Sequence, residues 1–193
     1  MVLTPAGVPP DEGSDEVLTA ADRLFYRRGI QAVGMDALRD EARVSLRRMY
    51  RLYPSKDAIV EAYLRRRDER WRKWLRDSVE QRSALPADRP LAVFDALAEW
   101  FAREDFRGCA MANATAELGE QHPAIGHRAK RHKDAVRAYL IELLRKAGQP
   151  EDPTEVASQL MLLVDGAIVQ ASIEADQHAA HRAKLMAKRL LCT

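Results

Sequence analysis

The chain has 193 residues, and its 31 lysines and arginines nearly balance 29 aspartates and glutamates, which leaves a formal net charge of +2. That charge is too small to give a general affinity for nucleic acid, so any such affinity must come from a local cluster. Two cysteines, Cys109 and Cys192, exclude a disulfide framework and predict a reducing, cytoplasmic environment. No apolar run approaches the length that crosses a bilayer, and we expect no membrane segment.

The N-terminal residues 1–13 contain three prolines and no basic residue. They lack the basic and apolar regions of a signal peptide, and their composition predicts a disordered arm. Because the arm carries no arginine or lysine, we do not expect it to enter a DNA minor groove.

Three short helices are predicted next. The first begins at Ser14, which we expect to cap it, and ends at Gly29. The second covers Met35–Ala42, and the third begins at a capping Ser45 and stops before Pro54. An apolar stripe at helical spacing marks the buried face of the first helix; it comprises Val17, Leu18, Ala21, Leu24 and Phe25.

The third predicted helix is basic. From Ala42 to Lys56 there are five basic residues and no acidic one, although the whole chain is nearly neutral. Two short helices joined by a few residues, with the second one basic, are typical of a helix-turn-helix that places one helix in the DNA major groove. The pattern therefore predicts a DNA-binding regulator.

The remainder reads as helix. A long charged helix is predicted from Lys56 to about Gln81, capped by Ser55, and five more follow at about 90–104, 110–120, 124–147, 153–175 and 179–191. No segment alternates as a strand does. We predict an all-α fold with a disordered arm (1–13), a three-helix DNA-binding head (14–55) and a helical ligand-binding and dimerisation body (56–193).

Residues 14–60 resemble the N-terminal domain of TetR-type (tetracycline repressor) transcriptional regulators. A second stretch, residues 107–117 followed by His122 and Pro123, looks like the C-terminal region of one branch of that family. The residues that carry the first match are Ala20, Ala21, Leu24, Phe25, Gly29, Leu38, Ala42, Val44, Ser45, Tyr50, Tyr53, Ser55, Lys56 and Asp57.

The resemblance implies a homodimer that binds a double-stranded DNA operator, usually as a repressor, and releases it when a small-molecule effector binds the body. Carried over by position, Tyr50 and Lys56 contact phosphate, while Leu46, Arg47 and Arg51 face the groove. A glycine common in the turn is Arg43 here, which predicts either strain in the turn or a turn that avoids the left-handed conformation. The expected DNA-binding residues are Ser45, Leu46, Arg47, Arg48, Tyr50, Arg51 and Lys56.

Bulky apolar groups with a few polar neighbours in the body predict either core packing or an apolar effector cavity. We assign to the cavity Trp74, Phe94, Leu97, Trp100, Phe101, Cys109, Met111, Asn113 and Tyr139.

The last two predicted helices carry apolar and small-residue stripes, which predict either a two-fold helix-bundle interface or contact with the chain's own core. We favour the interface, formed by Leu160, Val164, Ala167, Ile168, Ala171, Ala180, Ala183 and Ala187.

Histidine pairs occur at His127 and His132 and at His178 and His181, but without further ligands at zinc spacing, so we expect surface histidines and assign no metal site. We expect no cofactor. Two other functions stay open: a helical ligand-binding or interaction protein without specific DNA recognition, and a small enzyme. The basic segment disfavours the first. No glycine-framed nucleophile or phosphate loop supports the second, and we assign no catalytic residue.

Overall fold

The computed structural model describes residues 13–148 and 152–191, within which nine α-helices and one 3-10 turn occur and no strand does. The predicted all-α fold is confirmed; most of the predicted arm lies outside the described residues. The helices are α1 (Ser14–Arg28), α2 (Met35–Ala42), α3 (Leu46–Leu52), α4 (Lys56–Arg82), α5 (Arg89–Phe101), α6 (Ala110–Leu118), α7 (Pro123–Lys146), α8 (Thr154–Glu174) and α9 (Ala179–Leu191), with the 3-10 turn at Pro86–Asp88.

The described residues form two compact units that divide between Arg67 and Asp68, inside α4. The boundary expected from the sequence, at residue 55, lies at the start of that helix. The first part of α4 belongs with α1–α3 because its side chains pack on α1: the Phe25 and Tyr63 rings meet edge to face, with centroids 5.4 Å apart.

An ion pair also ties α4 to α1. Arg67 Nη1 lies 2.6 Å from Asp22 Oδ1, and both side chains are largely buried. The Arg67 guanidinium also stacks 3.5 Å from the centroid of the Tyr26 ring. Burial lowers the pKa of Arg67, but the neighbouring Tyr63 and Asp22 raise it more, so the side chain stays charged.

The core of the first unit is built from the predicted apolar stripe of α1, which is buried throughout. Leu38 of α2, Met49 of α3 and Ile59 of α4 close the core and have no exposed surface. Each short helix thus contributes at least one fully buried side chain, and this burial stabilises helices too short to persist alone.

The second unit packs α5, α7, α8 and α9 with the rest of α4 around one apolar core. Its aromatic side chains gather at the end of α5, where the Trp100 and Phe106 rings lie 4.9 Å apart, edge to face. The fully buried members of this core include Leu75, Leu97, Leu140, Leu144 and Leu160.

The helix ends follow the predicted chemistry, with one exception. Gly29 ends α1 at φ 85°, where its N–H donates to Phe25 O, and Ser55 Oγ accepts from the Ala58 N–H at 3.2 Å at the start of α4. Ser14 does not cap α1, because Gly13 occupies that position and Ser14 is the first helical residue.

Candidate nucleic-acid interface and body cleft

The short helix α3 is held in place by a cap at its N-terminus and by a buried side chain on its inner face. Its N-cap is Ser45, whose Oγ accepts the Arg48 N–H at 3.2 Å, as expected. Met49 has no exposed surface and anchors the helix in the first unit. With one face buried in this way, the opposite face of α3 is presented to solvent.

The outward face of α3 is basic and aromatic. Arg47 and Arg51 are exposed, and Tyr50 has 47% of its surface exposed. Leu46 at the start of α3 and Lys56 at the start of α4 are partly exposed. Arginine binds guanine O6 and N7 with two hydrogen bonds, whereas lysine and tyrosine suit phosphate oxygens, so this face has the chemistry of a DNA reader.

Arg48, one of the expected DNA-binding residues, is less exposed than Arg47 and Arg51. Its side chain is partly buried, and its Nε atom is shielded from solvent. A Cβ placed on Gly13 would lie 2.9 Å from that Nε, so the guanidinium packs against the residue preceding α1. This part of the Arg48 side chain therefore packs on the protein, and its contact with DNA stays a prediction.

The turn between α2 and α3 is strained. Arg43 has φ 54° and ψ 34°, a left-handed conformation that is costly for a residue with a Cβ atom. It is the C-cap of α2, and its N–H donates to Asp40 O at 3.4 Å. Of the two alternatives that the missing glycine leaves open, the backbone at Arg43 adopts the strained, left-handed one.

In the second unit, a cleft of about 420 Å³ opens beside the ends of α5 and α8. Apolar surface from Phe101, Phe106 and Ala171 meets polar groups there, including Arg103 and Asp176. The other lining residues are Arg107, Ser172, Ile173, Ala175 and Gln177.

Phe101 is the one residue shared by this cleft and the predicted cavity. Phe94, Leu97, Trp100 and Tyr139 instead belong to the core of the second unit, and Trp74 and Cys109 pack against it in partly buried positions. Met111 is buried on α6. Asn113 is exposed, and its amide Nδ2 donates to Arg107 O at 2.8 Å.

A buried polar group also lies in the second unit. His132 is 5% exposed, and its Nδ1 lies 2.7 Å from Asp68 Oδ1. Burial favours the neutral forms, but hydrogen bonding to His132 and Arg72 lowers the pKa of Asp68 to about 2. Burial lowers the pKa of His132, while Asp68 and Cys109 raise it above the ordinary value.

The expectation of a surface position is therefore wrong for His132. The sequence does indicate that His132 is buried, because Val136, Tyr139 and Leu143 follow it at helical spacing. These three residues are buried on the same face of α7 as His132. Among the described residues, no group of three or more histidine, cysteine or acidic side chains is arranged to hold a metal ion.

The stripes assigned to a dimer interface are wrong as an interface. They pack on the chain's own core, in one apolar cluster with residues of α5. All are at most 7% exposed in a single chain: Leu160, Val164, Ala167, Ile168, Ala171, Ala180, Ala183 and Ala187.

Other faces of α8 and α9 expose large apolar side chains. Leu162 is 74% exposed and Val169 52%, and with Ile173 they recur along one side of α8. Leu185 and Met186 are exposed on α9 by 50% and 47%. We call these five residues the exposed apolar surface.

The helix α8 is also long and apolar enough to cross a membrane by length and composition, with a mean hydropathy of 1.5 in its most apolar window. The expectation that no run approaches this length is therefore wrong. The finding is weak evidence for a membrane span, since core helices of soluble proteins pass the same test, and Leu160 and Val164 of α8 are buried in the core.

Comparison with known proteins agrees with this arrangement. A family model described as bacterial regulatory proteins of the TetR family matches residues 17–63, and one described as a tetracyclin repressor-like C-terminal domain matches residues 86–186. The HTH-type transcriptional regulator YjdC of Escherichia coli strain K12 is 25% identical over 171 residues, which cover 87% of this chain and 89% of that protein.

Two solved structures are also similar. SCO4454, a TetR-family transcriptional regulator from Streptomyces coelicolor, is 26% identical with a TM-score of 0.81, over 94% of this chain and 95% of that one. A putative TetR transcriptional regulator from Streptomyces avermitilis is 28% identical with a TM-score of 0.74, over 92% and 99%. Since the C-terminal family model alone matches more than half of the sequence, this chain belongs to the TetR family of transcriptional regulators.

Proposed function

We propose that this regulator is a homodimeric repressor that holds a near-palindromic operator through α3 and releases it when a small molecule binds the second unit. The observation that carries the proposal is the geometry of α3. Met49 fixes the helix in the protein while Arg47, Tyr50 and Arg51 are left on its outer face. A major-groove recognition helix requires these two faces, one packed on its own domain and one that presents side chains to the DNA.

Within this face, the roles divide by chemistry. Arg47 and Arg51 read base edges, and Leu46 packs on a thymine methyl group. Tyr50 and Lys56 bind phosphate and fix the register without reading sequence. Ser45 contributes by capping α3, which holds these side chains in place.

We assign the dimer interface to the exposed apolar surface. Large apolar side chains with about half or more of their surface exposed along neighbouring helices are costly in water and mark an interaction site. Two helices from each subunit then form a four-helix bundle about a two-fold axis. That symmetry matches a palindromic operator, whose half-sites lie about 34 Å apart along the duplex.

The effector site we propose is the cleft beside α5 and α8. Its volume of about 420 Å³ falls in the range that encloses a small organic molecule, and it combines aromatic walls with charged groups. An effector releases DNA only through its difference in affinity between the DNA-competent and DNA-incompetent dimers. The protein acts in the cytoplasm, where its DNA partner lies.

Selection from a random DNA library with the purified full chain tests this function. The proposal predicts that selected sequences converge on an inverted repeat whose half-sites are about 10 base pairs apart. Convergence on a single unrepeated site contradicts the dimeric mode. Failure of the library to converge at any salt concentration contradicts specific DNA recognition and leaves the helical ligand-binding alternative.

A further inference from the structure

Arg43 keeps a backbone conformation that glycine would adopt without strain. Its φ of 54° and ψ of 34° lie in the left-handed region, and Ala175 is the one other non-glycine residue with a positive φ in the part of the chain that the structure describes. The Cβ atom makes this conformation unfavourable. Strained backbone of this kind clusters at functional sites. An arginine kept at this cost points to a function of its side chain.

The Arg43 side chain is exposed and unpaired. Among residues 13–148 and 152–191 it has no ion-pair or hydrogen-bond partner, and the same is true of Arg47 and Arg51 on the outer face of α3. The three arginines follow one another at intervals of four residues, in a segment (42–56) that has no acidic residue. Like charges one turn apart on a helix, as Arg47 and Arg51 are, repel one another, and a bound anion relieves that repulsion.

The acidic side chains nearest in sequence are already paired with other arginines. Asp36 and Asp40 of α2 bind Arg39, whose Nη1 and Nη2 atoms lie 2.9 Å and 2.8 Å from their carboxylate oxygens. Glu41 binds Arg23 of α1, with Nη1 3.3 Å from Oε1. These pairs account for every acidic residue of α2. The positive charge in the turn that follows α2 therefore adds to that of the outer face of α3.

The place of Arg43 in the helix-turn-helix indicates which anion it meets. In this motif the first helix crosses the DNA backbone, while the second enters the major groove with its N-terminal residues at the base edges. Arg43 ends the first of these helices and lies two residues before Ser45, the N-cap of the second. We expect a side chain at that junction to meet the phosphates that border the groove. An arginine guanidinium binds phosphate oxygens with two parallel hydrogen bonds.

From this arrangement we infer that Arg43 is a further DNA contact, which binds a backbone phosphate beside the groove that α3 enters. This role rests on the proposed binding of operator DNA by α3 and adds a residue to it. The contact fixes the register of α3 on the duplex without reading its sequence, as phosphate contacts do. Glycine in this turn relieves the strain but removes the contact, so stability and DNA affinity favour different residues at position 43.

The test is a fluorescence-anisotropy titration of Arg43→Gly and Arg43→Ala with the selected operator and with a scrambled duplex, each at several salt concentrations. At about 0.1 M salt we expect both variants to bind both duplexes about tenfold more weakly than the wild type, with the salt slope reduced by about 1. Arg43→Gly should do so while unfolding at a higher urea concentration than the wild type, which separates a lost contact from a loss of folding. Arg43→Lys restores the charge and should restore the slope.

Arg27→Ala is the matched control, because Arg27 is an exposed arginine of α1 that likewise has no ion-pair or hydrogen-bond partner among the described residues. Its salt slope should equal that of the wild type. An unchanged slope in Arg43→Gly, or weaker binding to the operator alone, overturns the role given to Arg43. Equal binding of the wild type to both duplexes contradicts operator recognition instead, while the slope on the scrambled duplex still decides the Arg43 contact. A wild type that binds neither duplex overturns both.

Discussion

The hydroxyl oxygens of Ser14 and Tyr53 lie 2.8 Å apart, within hydrogen-bond distance, and so connect the first residue of α1 to the C-cap of α3. Arg48 of α3 packs on Gly13, which precedes α1. The start of α1 thus contacts the α3 segment at two points, and the buried side chain of Met49 anchors α3 in the core of the first unit. The orientation of the proposed recognition helix depends on this small set of contacts.

Tyr53→Phe removes one of these contacts. Because it deletes a single partly buried hydrogen bond, we expect the free energy of unfolding to fall by about 1 kcal/mol, measured by urea denaturation. Tyr50→Phe is the control, since Tyr50 lies on the exposed face of α3, and its effect should stay within about 0.5 kcal/mol. Equal losses in both variants would contradict the role given to the Ser14 contact.

Arg43→Gly should stabilise the protein. A left-handed conformation costs a residue with a Cβ atom about 1–2 kcal/mol, which glycine does not incur. Glycine also raises the conformational entropy of the unfolded chain, which offsets about half of that stabilisation. We therefore expect a gain of up to about 1 kcal/mol in a urea melt. Arg43→Ala keeps the strained backbone and controls for loss of the side chain. If Arg43→Ala stabilises as much as Arg43→Gly, the strain is not the cause.

Arg47→Ala and Lys56→Ala should weaken DNA binding in different ways. Loss of Arg47 should relax base preference at one position in each half-site and cost about 1–3 kcal/mol. Loss of Lys56 should weaken binding to every sequence alike and reduce the salt slope by about 1. Both are measured by titrating operator variants at several salt concentrations. Arg27→Ala, on α1, controls for the loss of one charge.

Leu162→Glu tests the proposed interface. It places a charge in the exposed apolar surface of each subunit, so we expect the dimer dissociation constant to rise at least about a hundredfold, as measured by sedimentation equilibrium. Leu85→Glu is a matched control, because Leu85 is 64% exposed but lies outside α8 and α9. A dimer that tolerates Leu162→Glu as well as Leu85→Glu is assembled through another surface.

Acid should destabilise the second unit through Asp68. The folded-state pKa of Asp68, about 2, lies below the unfolded value, so its stabilisation is fully present above about pH 4 and is lost as the pH falls towards 2. The loss is about 2 kcal/mol. Asp68→Asn should be less stable at pH 7 and should lose less stability in that acid window, as followed by denaturant melts. Parallel pH profiles for the two proteins would contradict the assignment.

Sequence reasoning located the helices well, because caps and breaks such as Ser45, Ser55 and Gly29 act locally. Family membership supports the predicted regulator and excludes the enzyme alternative. The faces of α8 were harder to assign. Leu160 and Leu162 are equally apolar, and only the packing of α5 and α9 decides that the first is buried and the second exposed.

The pairing of Asp68 with His132 joins α4 to α7 across 64 positions of sequence, and no local pattern contains it. The cleft likewise depends on how the ends of α5 and α8 meet, which explains why only Phe101 was anticipated. The contact of Arg48 with Gly13 joins α3 to the start of α1, and no local pattern in the sequence contains it either.

Fluorescence anisotropy with DNA flanking the protein's own gene tests the central claim most directly. The labelled native duplex and a scrambled duplex of equal composition would be titrated at several salt concentrations. The account predicts a preference of at least a thousandfold for the native duplex, with affinity falling steeply as salt rises. Equal, weak binding to both duplexes would contradict operator recognition by α3.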